Sequence, residues 1–289
     1  MKDSDWQILY ELYKTPNMTK VASRLYITQP SLTKRLQAME EEFQIKIVNR
    51  TTKGVEFTRE GEVLAQKAQQ YLVFMKGIRR ELRQLKGNKR EIITIGSSYT
   101  YNKYVLPEIL FEYSKDHSDI RFEVLNEQSN LLFRKACDGE VDVAFVQGDY
   151  KGAVLQRRVD EYQAYILTKE CIQLEDLPHM SRINYKSNDR SKELLNNWWE
   201  THYNLLVPAG MSVGYVDVAW QLVSKGLGYT CCFLPENYEN PYNLVLTPME
   251  NLDGTPLKRN TWFVYRDVEK RSEGLKDFIA YINKKIVLK

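Results

Sequence analysis

Residues 26–43 read YITQPSLTKRLQAMEEEF, basic at the front and acidic at the back. Thr28 suits a helix N-cap, and Pro30 is tolerated in a first turn, whose N–H groups have no intrahelical partner. Leu32, Leu36, Met39 and Phe43 follow at spacings of 4, 3 and 4, so they form one buried stripe. Pro30, Lys34, Gln37 and Glu41 point roughly opposite it, with Ser31, Thr33 and Arg35 on its flanks. The first two turns therefore expose hydroxyl, amide and basic groups, which bond phosphate oxygens and base edges. Glu40, Glu41 and Glu42 come about two turns later. Such a helix enters an anionic groove N-terminus first, a polarity its dipole also favours. The acidic end is expected to be surface held clear of phosphate.

The flanking sequence completes a motif. Ser4 to Gln7 has the spacing of a capping box, and Trp6, Leu9, Tyr10 and Tyr13 share one helix face. Pro16 stops that helix, and Asn17 caps a short one with Val21, Ala22 and Leu25 inward. Tyr26 and Ile27 make a tight turn into the helix capped by Thr28, giving a helix-turn-helix. Beyond it, Ile45 and Ile47 alternate, as do Val55 and Phe57, around a turn at Thr52-Lys53-Gly54. This predicts a β-hairpin wing with Arg50 and Lys53 near the DNA backbone or minor groove. The expected DNA contacts are Thr28, Gln29, Pro30, Ser31, Thr33, Lys34, Arg35, Arg50 and Lys53.

Thr58 caps a long helix running from Arg59 to about Lys86. Leu64, Ala68, Tyr71, Met75, Ile78, Leu82 and Leu85 alternate spacings of 4 and 3 on an otherwise polar helix. That narrow stripe fits a coiled-coil seam, so these residues are expected to form a homodimer interface. Gly87 to Arg90 reads as a hinge.

Charge is distributed unevenly. Residues 1–90 hold 18 Lys and Arg against 10 Asp and Glu, a net of +8, and the remainder nets −5 within an overall +3. A basic front on an acidic body points to a polyanion partner, double-stranded DNA, for the front alone. With 43% hydrophobic and 27% charged residues the composition is that of a globular protein. No apolar run of about 18 residues suggests a membrane span, and acids interrupt the N-terminal apolar run, so a cytoplasmic location is expected. Cys137, Cys171, Cys231 and Cys232 form no C-x-x-C pair and read as reduced thiols, with a Cys137–Cys171 redox pair as the alternative. His117, His179 and His202 have no ligand spacing, so neither metal nor cofactor is expected.

The remaining two hundred residues alternate strands and helices. EIITIGSS, a helix with Val105, Leu106, Ile109, Leu110 and Tyr113 inward, IRFEVLN, SNLLFRKACDGE and VDVAFV predict a parallel α/β sheet. A second set, from QAYILTK to the final helix KDFIAYINKKI, predicts a second lobe. Ligands bind such sheets at the carboxyl ends of strands. Here those ends bring Ser98, Tyr99, Thr100, Gln147 and Gly148 to a cleft. Ser98 and Thr100 suit an anion or carboxylate, and equally a helix cap. Ser212 is either a cleft residue or the cap of the helix YVDVAWQL.

The stretch from Met18 to Leu64 resembles the N-terminal signature of the LysR-type transcriptional regulators. The matching positions are Val21-Ala22, Thr28-Gln29-Pro30-Ser31-Leu32-Thr33, Met39-Glu40, Asn49-Arg50, and Phe57-Thr58 with Gly61. Ser23 stands for the second Ala of the pattern, Gln44 for its Gly, and Ile47-Val48 for its Leu-Phe. Gly96 to Thr100, Leu106-Pro107, Gly139 to Asp142, Val223 to Gly228 and Leu234-Pro235 are similar to the family's effector domain. The resemblance implies a multidomain α/β protein with a winged helix-turn-helix at 1–58, a linker and dimerisation helix at 59–88, and an effector-binding domain at 89–289. That last domain would be periplasmic-binding-protein-like, with one lobe at about 89–161 and 266–289 and the other at about 162–265. The implied partners are DNA, a small-molecule effector, further copies in a homodimer or homotetramer, and RNA polymerase. An enzyme is not expected, because no G-x-S-x-G, phosphate loop or His-based dyad is present. A solute-binding protein without a DNA role is the alternative, opposed by the basic front.

Overall fold

The computed structural model describes residues 1–51, 54–85, 91–208, 210–235, 238–267 and 271–287. The chain divides into two compact units, Met1–Lys89 and Arg90–Lys289.

The first unit runs α1 (Asp3–Lys14), α2 (Met18–Arg24), α3 (Gln29–Phe43), β1 (Val48–Thr51), β2 (Gly54–Phe57) and α4 (Arg59–Leu85). Leu9, Leu12, Val21, Leu32, Leu36, Met39 and Ile47 close one core. Asn17 accepts from the Lys20 N–H, and Thr28 from the Ser31 N–H, as N-caps do. β1 and β2 pair antiparallel from Val48↔Phe57 to Thr51↔Gly54. The turn at Thr52 and Lys53, the hinge at Gly87 to Arg90, and the side chains of Arg50 and Leu85 lie outside the described residues.

Four local expectations change. Ser4 does not cap α1: the cap is Lys2, two residues earlier, where the Asp5 carboxylate accepts the Lys2 N–H at 2.6 Å. Phe43 is 39% exposed and meets Trp6 edge-on at 6.3 Å, so only the first three residues of the α3 stripe are buried. The acidic end of α3 is a joint more than a bare surface. Glu40 accepts the Ile47 N–H at 2.8 Å, the Val48 N–H at 3.4 Å and the Lys46 ammonium at 3.0 Å, tying helix to wing, while Glu42 pairs with the N-terminal amine at 2.8 Å. Gln44, in the place of the family's Gly, takes the left-handed conformation (φ 52°, ψ 39°) and donates its amide to the Glu41 carbonyl.

The fourth change concerns α4. Leu64 and Ala68 are buried in the core of their own chain. Tyr71 stacks near Trp6 at 5.1 Å and donates its hydroxyl to Asp3 at 2.7 Å. The first half of the predicted seam therefore packs against α1. Among the described side chains of α4, the large apolar groups left outward are Val63, Phe74 and Leu82, at 54%, 65% and 53% exposure.

The second unit holds β3 (Glu91–Ser97), α5 (Tyr99–Tyr104), α6 (Leu106–Asp116), β4 (Ile120–Asn126), α7 (Ser129–Asp138), β5 (Val143–Gln147), β6 (Leu155–Thr168), β7 (Ile183–Tyr185), α8 (Asp189–Tyr203), β8 (Met211–Val213), α9 (Val216–Ser224), β9 (Thr230–Leu234), β10 (Val245–Pro248), β11 (Lys258–Tyr265) and α10 (Glu273–Val287). The main sheet has the order β10-β6-β11-β5-β3-β4, with β9 also on β6. β3 lies parallel to β4 and β5, whereas β11 runs antiparallel to β5 and β6. β6 and β11 are the shared strands. Tyr162, Ala164 and Ile166 of β6 belong to the core that holds Trp198 and Trp199, whereas Phe263 and Tyr265 of β11 belong to the core with Ile93, Tyr113 and Phe278. The crossing back thus falls inside β11 and ahead of Arg266. β3 continues through Gly96 and Ser97, and Ser212 sits in β8 opposite Asn184, four residues before α9 begins. Ser212 is therefore no cap: its segment extends β7 instead.

Candidate DNA-binding face and effector cleft

In the first unit, Thr28, Gln29, Pro30, Ser31 and Lys34 are exposed along the front of α3, and Thr33 is half-buried. Gln29 accepts from the Thr19 hydroxyl at 3.2 Å, which ties the start of α3 to α2. Arg35 stands apart from this set. Its guanidinium donates to Asp5 through Nε at 2.8 Å and through Nη2, and it also reaches the Ser4 hydroxyl. Arg35 thus joins α3 to α1 and is not a free cation. Sequence reasoning missed Tyr26. It occupies the turn in the left-handed conformation (φ 54°), with its side chain 96% exposed beside the α3 N-terminus. The signal available was a bulky aromatic in a turn, where burial is the usual fate of such a group.

In the second unit, the structure brings Thr100 and Gln147 together. The Gln147 amide donates to the Thr100 hydroxyl at 2.9 Å, and that hydroxyl lies 3.1 Å from the Gln147 carbonyl oxygen. Gln147 is buried, with its own N–H on the Ser129 hydroxyl. Ser98 precedes α5 but makes no capping bond; its hydroxyl is buried without a partner among the described residues. Tyr99 stacks on Tyr215 at 4.9 Å and donates to Asp217 at 3.2 Å, and Lys103 reaches the same carboxylate oxygen at 2.7 Å. α5 packs with the first lobe and α9 with the second, so this triad spans the cleft. Burial raises the Tyr99 hydroxyl, with Asp217 adding to it. The hydrogen bond to Asp217 holds Lys103 well above its ordinary value. Burial would raise Asp217, but its bonds and charge contact with Lys103 outweigh that and hold it below the usual range. Gly148, at φ 96°, lies close against Arg190 of α8: a Cβ there would come within 2.7 Å of Arg190 Cβ. Ser212 lies apart from the other expected effector residues. It lines a cavity of about 640 Å³ in the second lobe with Arg182, Lys186, Lys192 and Asn196.

Sequence reasoning also missed Arg259. It is 6% exposed on β11, lies 4.6 Å over the Phe233 ring, and donates through Nη1 to Ser191. Burial pulls its guanidinium down to about 10. Among the described residues no cluster of His, Cys, Asp and Glu has metal-site geometry, and no helix is long and apolar enough to cross a membrane. Cys137, Cys171, Cys231 and Cys232 are free thiols.

A helix-turn-helix with a polar helix front, joined in one chain to a two-lobed α/β domain with a polar cleft, defines a DNA-binding regulator with a sensor domain. Residues 4–62 match the family described as bacterial regulatory helix-turn-helix protein, lysR family, and residues 86–286 match the LysR substrate binding domain. The chain therefore belongs to the LysR family of transcriptional regulators. It is 28% identical over 284 residues to the uncharacterized HTH-type transcriptional regulator YraN of Bacillus subtilis strain 168, covering 98% of this chain and 96% of that one. It is 24% identical to YofA, another HTH-type transcriptional regulator of that strain, over 93% of this chain and 90% of that one. In fold it is similar to CbnR, a LysR family transcriptional regulator, with a TM-score of 0.63 at 14% identity over 99% of both chains.

Proposed function

We propose that this regulator reads promoter DNA with the front of α3 and answers to a small molecule held between the lobes of its second unit. Thr28, Gln29, Pro30, Ser31, Thr33 and Lys34 are the reading face, Tyr26 adds a contact at its edge, and Arg50 and Lys53 of the wing serve the phosphate backbone. The observation that carries this reading is the division of labour on α3. Arg35 and Glu40 are consumed by internal ties, while the exposed groups of the first two turns stay polar or basic. Phe74, Ile78 and Leu82 form the seam with a second copy. A dimer, or a tetramer built from two, then presents paired reading helices to a two-fold-related site. Held at a promoter in the cytoplasm, such an assembly contacts RNA polymerase. The cleft residues Ser98, Tyr99, Thr100, Gln147 and Gly148 bind the effector, and its differential affinity for open and closed lobes drives the response. The domain thus acts as a sensor and not as an enzyme.

Retardation of a DNA fragment from the region upstream of its own gene tests the DNA reading. Affinity should fall steeply with added salt, because phosphate contacts release counterions. Absent or salt-independent binding would overturn it.

A further inference from the structure

Beside Thr100 and Gln147, the shared sheet carries hydrogen-bonding atoms that have no partner within the described residues. They are Arg259 Nε and Nη2, Tyr162 Oη, Thr261 Oγ1 and Ser98 Oγ, each shut off from solvent. Strand register places several of them on one face. Arg259 lies directly across from Tyr162, and Thr261 directly across from Gln147, and opposed residues of an antiparallel pair project to the same side. Arg259 and Thr261, two apart, share that side as well. Gln147 in turn holds Thr100, two residues from Ser98. The result is one polar patch at the crossing between the lobes.

Arg259 is the anomaly in it. A buried guanidinium normally has a carboxylate partner, since an unpaired buried charge is costly. No described ion pair includes Arg259, and its company is aromatic and hydroxyl: Phe233, Tyr162 and Ser191. Only Nη1 is used. The two orphan donors, Nε and Nη2, form the edge of a guanidinium that meets two coplanar oxygens bidentately. Ser191 is itself fixed, donating its hydroxyl to Asn188, so the fork is held in one orientation.

We propose that the effector of this regulator is a small anion, a carboxylate or an oxyanion of sulfur or phosphorus, held by the Nε–Nη2 edge of Arg259 with Thr261, Tyr162 and Ser98 completing its shell. The proposal rests on the cleft reading above and adds the chemical class and the residue that selects it. Arg259 is the counter-charge, and its burial ensures that a neutral analogue leaves the cation unsatisfied. With the orphan atoms closed off, entry requires the lobes to part where Tyr99 and Lys103 meet Asp217. Anion binding is thereby coupled to lobe movement.

The test uses the full chain, thermal shift, and four probes at matched ionic strength: sodium sulfate, sodium phosphate, sodium succinate and neutral succinamide, each against sodium chloride. At least one oxyanion should raise the wild-type Tm where succinamide does not. Response to succinate alone identifies a carboxylate ligand, and response to sulfate or phosphate a tetrahedral one. Arg259→Met should weaken that response about tenfold or more in ligand concentration while raising the Tm of the ligand-free protein, because it removes an unpaired buried charge. A merely structural Arg259 would lower the ligand-free Tm instead. If the Met variant fails to fold, Arg259→Lys carries the test: it keeps the charge, loses the fork, and should bind the anion more weakly. An oxyanion response that is unchanged in the Arg259 variants overturns the proposal, as does the failure of every oxyanion to shift the wild type. Thr100→Val separates the two readings. A response lost in Thr100→Val but kept in the Arg259 variants leaves the cleft standing and removes Arg259 as the anion's counter-charge. A response kept in both removes the cleft reading too.

Discussion

Gly61, in the first turn of α4, permits a contact that fixes the wing. A Cβ built on it would lie 2.0 Å from the Ile47 carbonyl oxygen and 2.8 Å from the carbonyl carbon. The same carbonyl accepts the Thr58 N–H at 3.0 Å, and the Thr58 hydroxyl donates to the Lys46 carbonyl and accepts the Gly61 N–H at 3.0 Å. Gly61→Ala therefore sets two effects against each other. Helix propensity favours Ala by about 1 kcal/mol. The methyl, however, needs about 3.5 Å from its neighbours, so the wing strand must retreat by more than about 1 Å. Forced overpacking of this kind costs about 1–3 kcal/mol, and the two bonds most exposed to that retreat are worth about 1 kcal/mol each. The steric side wins, for a net loss of about 2–4 kcal/mol. In a unit of this size that lowers Tm by about 10 °C or more. Gly77, in the same helix, is the control. Nothing lies within 4 Å of its Cβ position, so Gly77→Ala should gain about 1 kcal/mol. Calorimetry of the full chain, following the transition of the first unit, reads both. A Gly61→Ala protein as stable as the wild type would refute the close approach of Ile47 to α4 and, with it, the anchoring of the wing.

Other perturbations separate roles that the sequence merges. Lys34→Ala should weaken DNA binding at every sequence and reduce the salt slope by about one, with stability unchanged. Arg35→Ala should instead lower the Tm of the first unit, since it breaks the tie to Asp5; a stable Arg35→Ala protein with lost DNA affinity would return Arg35 to the reading face. Phe74→Glu or Ile78→Glu should yield monomers by sedimentation, and a surviving dimer would refute the seam. Lys103→Met should lower the Tm of the second unit only in a pH window. Asp217 titrates below its ordinary value, so its contribution is present above about pH 4 and lost as pH falls through the depressed value. Lys103 titrates above its ordinary value, so its contribution holds up to about pH 10 and is lost above that, as pH rises through the raised value. Melting curves of the two proteins should converge in acid; a difference that persists at pH 2 would mean Lys103 acts through packing.

The helix-turn-helix was legible because its signals are local. Asn17 and Thr28 cap as their side chains dictate, and Leu32, Leu36 and Met39 bury as their spacing requires. The stripe on α4 was legible as a covered face, but what covers it was not. A 4-3 stripe says that a face is covered, but not whether the cover comes from the same chain. Here α1 claims Leu64, Ala68 and Tyr71. The roles of Arg35 and Glu40 were hidden for the same reason: each is settled by a partner distant in sequence, Asp5 for one and Ile47 for the other. Ser212 was misjudged because Met-Ser-Val is too short to announce a strand, and only the pairing with β7 defines it.

Arg259 shows the deeper limit of reading a strand from its residues. In KRNTWFVY the first two positions look like a solvated basic pair. Period two puts one of them out and one in, and Lys258 takes the outer place, paired with Glu161 at 2.7 Å. Alternation alone does not say which of two cations turns inward, because both would ordinarily avoid it. The choice is made by the neighbouring strand. Tyr162 and Phe233 supply ring faces that tolerate a guanidinium better than an ammonium, whose hydration is stronger. Those rings soften the burial without neutralising the charge, and the unused Nε–Nη2 edge remains. A structure that needed only stability at this position would be served by an apolar residue of similar volume. Retaining an unpaired cation at the crossing of the lobes makes sense when its partner arrives from solution, and it sets the sign of the charge that partner must carry.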